Sequence, residues 1–270
     1  MSIFEAAILG IVQGFTEFLP ISSSGHLILI PRLLNFSEQP LVFDTTLHFG
    51  TALALIIFFW KDLLGILKSA YTDLVVYNFN YKAYSKNTWM GLFICLAIIP
   101  ADIIGFLYGD YIENSFRSVN HVALFSIVGT VFLFVAQKFF SKPSSTSLTP
   151  VRSLGVGLFQ LLSFLPGFSR SGSTIGGGMI LGLNKEDAAR FSFLLSVPIT
   201  IQAALFQLFK DPGEIADIGL LPVVVGFLFS LVSGLWCIKF LLNYLKTRSL
   251  NIFIYYRLAL VIALILYFNF

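Results

Sequence analysis

Charge is the scarcest feature of this sequence. Asp, Glu, Lys and Arg make up only 11% of its 270 residues, where soluble domains carry about a quarter, so an ordinary water-exposed globule is excluded. The net charge of +3 is too small to attract a nucleic acid, and none is expected as a partner. Cysteine is nearly missing. Cys95 and Cys237 each stand inside an apolar run, which predicts two packing thiols rather than a disulfide or a cysteine metal site. Met1-Ser2-Ile3-Phe4-Glu5 has no basic stretch and no small-residue cleavage motif follows it, so no signal peptide is expected. The weak alternation of a β-barrel is absent as well.

Apolar side chains fill the space instead, at 57% of the chain with 30 Phe. Continuous apolar runs cover 41–60, 89–108, 119–140, 189–209, 219–243 and 252–270. Each has about the 20 residues that a helix needs to cross a hydrocarbon core roughly 30 Å thick. The expected fold is an all-α polytopic membrane protein, with residues 1–270 as a single integral membrane domain.

Two further apolar stretches are interrupted. Residues 3–34 are broken by Pro20 and a serine cluster, and residues 152–183 by Pro166-Gly167 and "FSRSGST". Each half has about a dozen residues, too few to cross, and a break at membrane depth is tolerated only inside protein or beside a wet cavity. Both stretches read as re-entrant helical hairpins, each followed by three spans. The breaks resemble each other: Phe18-Leu19-Pro20 matches Phe164-Leu165-Pro166, Ser24-Gly25 matches Ser171-Gly172, and "FFWKD" ending at Asp62 echoes "QLFKD" ending at Asp211. The chain is therefore expected to hold two repeats, about 1–140 and 152–270, joined by a polar linker at 141–151. An odd number of spans per half turns the second repeat upside down, and inverted repeats with broken helices place their sites where the breaks meet near the midplane.

Loop charge orients the chain. Lys61, Lys68, Lys82, Lys86, Lys142, Arg152, Lys246 and Arg248 share one side by parity, while the alternate loops hold Asp110, Glu113, Arg117, Lys210, Asp211, Glu214 and Asp217. The positive-inside rule makes the first side cytoplasmic and puts both termini outside.

In "QGFTEFLP", Gln13 and Glu17 are four apart on one helix face, and a carboxylate at this depth must be paired, metal-bound or facing water. Pro20 stops that helix, and Ser22, Ser23 or Ser24 can cap the next, with His26 in its first turn. One serine suffices as a cap, so the others are surplus to it. The second break repeats the device at Ser169, Arg170, Ser171, Ser173 and Thr174. Helix N-termini present free N–H groups and partial positive charge, ready for an anion, and the planar fork of Arg170 suits phosphate. An ion pair between Arg170 and Glu17 is the alternative, but it leaves the hydroxyls unexplained. An oxyanion, phosphate foremost, fits the cluster. Glu17 would repel it without a divalent cation or a proton between them, which points to Mg2+ or Ca2+. For the attack on phosphorus, Ser23 activated by His26 or Glu17, His26 itself, and activated water all stand open.

"QGFTEFLPISSSGHL" and "LPGFSRSGSTIGGG" closely resemble the two signature motifs of the undecaprenyl-diphosphate phosphatases, the bacitracin-resistance family, and the likeness extends over essentially the whole chain. The resemblance implies a bacterial plasma-membrane enzyme that hydrolyses the C55 isoprenoid diphosphate to the monophosphate carrier reused in peptidoglycan synthesis. It places the family's catalytic serine and histidine on Ser23 and His26, its (E/Q)xxxE motif on Gln13 and Glu17, and its arginine on Arg170. Gln13 takes the Gln option, which leaves Glu17 as the acid for a metal. Gln13, Ser22, Ser24, Ser169, Ser171, Ser173 and Thr174 are expected to bind substrate. Membrane lipid is the surrounding partner, and a homodimer stands open. A polyprenyl-phosphate transporter is the rival from another class, since inverted repeats are its usual architecture. Similarity to phosphatidic-acid phosphatases is weak, because no histidine follows the Ser-Arg pair. Of the other polar residues, Asp44 and His48 read as an interfacial or helix-lining pair. Asp102 lies inside a span, His121 sits at the membrane surface, and Asn184 caps a helix with Glu186 and Asp187 in its first turn.

Overall fold

A computed structural model describes residues 1–37, 39–78, 80–116, 118–142, 147–210 and 218–268, and every regular element among them is helical. Helix α1 (Ile3–Phe18) begins at a capping box, with Ser2 Oγ accepting the Glu5 N–H and the Glu5 carboxylate accepting the Ser2 N–H. It stops before Pro20, and α2 (Ser23–Leu34) packs against it. At 16 and 12 residues these helices rise only roughly 24 and 18 Å, short of a membrane core. The second broken stretch has the same form. Its parts are α7 (Pro150–Gln160), a 3-10 turn (Leu161–Phe164) and α8 (Arg170–Ile180), which packs against α7.

Between the two stretches lie α3 (Leu41–Phe58), α4 (Trp60–Tyr77), a short 3-10 turn (Tyr81–Ala83), α5 (Lys86–Phe116) and α6 (Val119–Phe139). After them come α9 (Lys185–Lys210), α10 (Leu220–Thr247) and α11 (Asn251–Phe268). Leu41–Phe58, Lys86–Gly109, Val119–Phe139 and Leu220–Thr247 are long and apolar enough to cross a membrane, and Asn251–Tyr267 is a shorter apolar helix. The outer surface carries large apolar side chains such as Phe106, 87% exposed, a surface suited to lipid and costly in water. The protein is a multi-pass helical membrane protein.

Small residues bring the broken helices to their neighbours. Helix α1 runs along α10 and α7 along α5. A Cβ at Gly14 would overlap Ser233 Oγ and lie 2.6 Å from Gly234 N and Ser230 O, and a Cβ at Gly157 would run into the Ala97 backbone. Glycine at these crossings lets the backbones touch. Behind the first break, Phe18 packs edge-to-face on Phe193, which meets Phe59 in the same way. Both cysteines are free thiols. Cys237 is buried with Sγ donating to Phe15 O at 3.2 Å, and Cys95 is exposed.

One stretch departs from the sequence expectation. Residues 61–86, taken as a lysine-bearing loop, begin with the 18-residue helix α4, of which only Asp73 is buried. Lys61, Asp62 and Lys68 break up the apolar run but leave helical spacing intact. The Asp73 carboxylate then ties α4 to the start of α5, accepting from Ser85 N–H at 2.7 Å and Thr88 Oγ1 at 2.6 Å. These bonds hold Asp73 below the ordinary aspartate range, the Thr88 hydroxyl being the larger cause. Asn184 caps α9 as expected, exchanging bonds of 2.7 Å with Asp187. His121 sits in the first turn of α6 against the Ser118 cap, and Asp102 is exposed on α5. The side chains of Asp110, Glu113 and Lys210, together with Arg117, Asp211, Glu214, Asp217, Phe270 and linker residues 143–146, lie outside the described residues.

Candidate active site

Each break is organised by one serine in a backbone conformation that side chains rarely adopt. Ser22 has φ of 74° and Ser169 has φ of 83°, each in a region costing about 1–3 kcal/mol for a residue other than glycine. Ser22 Oγ accepts the Gly25 N–H at 3.3 Å and opens α2. Ser169 Oγ accepts the Gly172 N–H at 3.1 Å and opens α8. Each capping hydroxyl also bonds the hydroxyl two residues on, Ser24 at 3.3 Å and Ser171 at 3.2 Å. Of the three candidate caps in the first cluster, Ser22 is the one used.

The two breaks touch. Ser171 Oγ donates to Leu19 O at 2.9 Å, and Arg170 Nη2 donates to Glu17 Oε1 at 2.5 Å. Glu17 is the hub, because its other oxygen accepts from Ser23 Oγ at 2.6 Å and Gln13 Nε2 at 3.1 Å. The ion pair weighed against an anion site therefore exists. It uses only part of the arginine, however: Arg170 Nη1 and Gln13 Oε1 are buried with no hydrogen-bond partner among the described residues. A buried guanidinium N–H without an acceptor costs free energy, and a phosphate oxygen would satisfy it.

The remaining predicted residues lie around this hub at different depths. Ser24 is exposed at the head of α2, and Ser173 and Thr174 are fully buried. Ser173 Oγ and Thr174 Oγ1 turn back onto Arg170 O at 2.8 and 2.9 Å, and Thr174 also meets Ser192 Oγ at 2.6 Å. His26 is placed behind the first turn. Its Nδ1 is 2.6 Å from Ser22 O and its Nε2 2.7 Å from the Tyr256 hydroxyl, and the rings are stacked. A carbonyl only accepts, so Nδ1 carries a proton, and Nε2 and the Tyr256 hydroxyl share the second hydrogen bond.

Three residues are not assigned to the site by the sequence, His48 reading only as an interfacial or helix-lining partner of Asp44. His48 Nε2 stands 3.6 Å from Glu17 Oε2, with its Nδ1–H donating to Asp44 O at 2.8 Å. No spacing in the chain links it to Glu17, 31 residues away. Tyr256 and Arg257 sit in the last apolar run, and Arg257 is 1% exposed. A lone ionisable residue inside such a run is itself a functional signal. Arg170 reaches Glu17 with one terminal nitrogen and leaves the other unpartnered beside the first turns of α2 and α8, an arrangement suited to an anion.

The fold and the site together define a polytopic membrane protein in which two broken helical stretches meet at a polar cluster, with a hydroxyl and a guanidinium hydrogen-bonded to one carboxylate. The model of the bacitracin resistance protein BacA family matches residues 6–263. The chain is 40% identical to the undecaprenyl-diphosphatase of Geotalea daltonii over the whole of both chains. It is 42% identical to that of Trichlorobacter lovleyi, with 96% of this chain and 94% of the relative aligned. The undecaprenyl-diphosphatase of Methanosphaera stadtmanae is 40% identical, with 95% and 94% aligned. The chain belongs to the BacA family.

Proposed function

We propose that this protein is an undecaprenyl-diphosphatase, removing the terminal phosphate of the C55 isoprenoid diphosphate at the Glu17–Arg170 site. Glu17 carries this reading: one oxygen takes the Ser23 O–H and the other takes Arg170 Nη2, while Arg170 Nη1 is left for a ligand oxygen. Ser23 Oγ attacks the terminal phosphorus, and its proton passes to Glu17 Oε2. The bridging P–O bond breaks, and the lipid monophosphate leaves with that proton. Water then attacks the phosphoserine, its proton returns through Glu17 to Ser23 Oγ, and inorganic phosphate departs. Arg170 and the first turns of α2 and α8 stabilise the charge spreading over the equatorial oxygens. Ser22, Ser169 and Ser171 hold those turns in place, and His26 braces Ser22 from behind.

A divalent cation fits in part. The unpartnered Gln13 Oε1 is an oxygen donor that would help hold Mg2+ or Ca2+ beside the Glu17 carboxylate, with substrate phosphates and water as the further donors. Such an ion would neutralise diphosphate charge beside Glu17. No group of three or more His, Cys, Asp or Glu suited to a metal occurs among the described residues, so the substrate's own oxygens are needed. The matched serine conformations, and the pairing of α1 with α10 and α7 with α5, support two inverted repeats with the site at their interface. The lysine asymmetry supports both termini lying outside the cell.

Purified protein in detergent micelles should release inorganic phosphate from a long-chain prenyl diphosphate. No release with Mg2+, Ca2+ or any other divalent cation would overturn the reading in favour of transport.

A further inference from the structure

Arg257 is buried on α11, and it forms no ion pair with a carboxylate among the described residues, which is unusual for a charged group. Every N–H of its guanidinium has an acceptor. Nε donates to Thr130 Oγ1 at 2.9 Å, Nη1 to Pro20 O at 3.2 Å and Phe168 O at 2.9 Å, and Nη2 to Ser126 O at 3.1 Å and Gly167 O at 2.9 Å. That uses all five donors of the fork. Pro20 belongs to the first break and Gly167 and Phe168 to the second, so one side chain grips both. The surroundings are shaped to admit it. A Cβ at Gly129 would overlap Nη2, Thr130 Oγ1 donates onward to Ser126 O at 2.6 Å, and Ser126 Oγ donates to Gly167 O at 3.2 Å.

We infer that Arg257 is a positioning residue for phosphate hydrolysis, a cross-tie that sets the first break, with Ser23, against the second, with Arg170. It touches neither Glu17, Ser23 nor Arg170 through any of its five bonds, so its effect reaches the reaction only through the two turns. The inference rests on the phosphatase reading for its kinetic consequence and on geometry alone for the tie. Carbonyls are fixed at set angles, and only a planar fork reaches four of them together; an ammonium keeps the charge and loses the span.

The test is Arg257→Lys, purified in detergent and checked by size exclusion, with prenyl-diphosphate kinetics and hydrogen–deuterium exchange by mass spectrometry. A misplacement of reacting groups predicts a kcat lowered about 30-fold or more with KM changed less than about threefold. Exchange should rise in the segments around 19–25 and 167–172 while α3 and α10 keep theirs. A purely structural role would lower the melting temperature and leave kcat per folded molecule unchanged. If Arg257→Lys does not fold, Thr130→Val, which removes the Nε acceptor and the hydroxyl's own bond to Ser126 O but leaves the four carbonyl acceptors of the fork, should shift kcat and exchange at both breaks in the same direction by a smaller amount. Unchanged kcat and unchanged exchange at either break in the folded variant would overturn the tie. If the unmodified protein releases no phosphate, the phosphatase reading falls and the exchange measurement still decides the cross-tie.

Discussion

Replacing Arg170 with lysine asks whether this side chain is a clamp or only a counter-charge. Arg170 Nη2 is committed to Glu17 Oε1 at 2.5 Å, and Nη1 is buried without a partner. Its side chain is only 15% exposed, so water screens the pair little. A lysine has one nitrogen whose three donors radiate from a single point, so it cannot hold Glu17 and a phosphate oxygen at the two positions that Nη2 and Nη1 occupy. The variant therefore loses about one charge-assisted hydrogen bond to the transferring group, about 1.5–3 kcal/mol, or roughly 10–150-fold in kcat/KM. Looser placement of phosphorus against Ser23 Oγ adds to the loss. The assay is phosphate release from a prenyl diphosphate, with folding verified by size exclusion in detergent. A folded Arg170→Lys protein within about threefold of the unmodified kcat/KM would refute the two-pronged role.

Three further substitutions and one chelation test follow from the structure. Glu17→Gln keeps a partner for Arg170 and Ser23 but cannot take a proton, so kcat should fall about 100- to 10,000-fold; chelation with EDTA should likewise suppress the unmodified protein, and full activity in EDTA would remove the metal from the account. Gly14→Ala should drive α1 off α10, because the new methyl meets backbone atoms 2.6 Å away; a loss of about 1–3 kcal/mol of stability and lower turnover are expected from thermal unfolding and kinetics, and an unchanged melting temperature would contradict the close crossing. Asp73→Asn should melt earlier than the unmodified protein at neutral pH. The folded carboxylate titrates below its ordinary 3.8, so its contribution is present above that value and lost as pH falls through the lowered one; the gap between the two proteins should close below about pH 4, and a gap that widens in acid would reverse the assignment.

The sequence was most legible where backbone chemistry is local. Pro20 and Pro166 with their serine clusters announced both breaks, and Gln13 to Glu17 at four residues announced one helix face. The meeting of Arg170 with Glu17, 153 residues apart, was foreseeable because a buried cation and a buried acid seek each other. Three things were less visible. Helix α4 was hidden because its charges suggested solvent, though their spacing is helical. The orientation of His26 was hidden because a histidine in a first helical turn can turn toward the site or back onto the capping residue, and here Tyr256, 230 residues on, draws it back. The nearness of His48 to Glu17 depends on how α3 packs against α1, which no local pattern encodes. Arg257 was legible in principle, as an arginine where lipid tails would otherwise be, but its acceptors are backbone carbonyls that leave no mark in a sequence.

The most direct test of the account follows the phosphoryl group itself. Undecaprenyl diphosphate labelled only in its terminal phosphoryl group is given to the purified protein, and lipid and aqueous products are separated. All of the label should appear in inorganic phosphate with unlabelled lipid monophosphate formed in equal amount, and Ser23→Ala should release almost none. Label retained in the lipid, or full release by a folded Ser23→Ala protein, would contradict hydrolysis by Ser23 at this site.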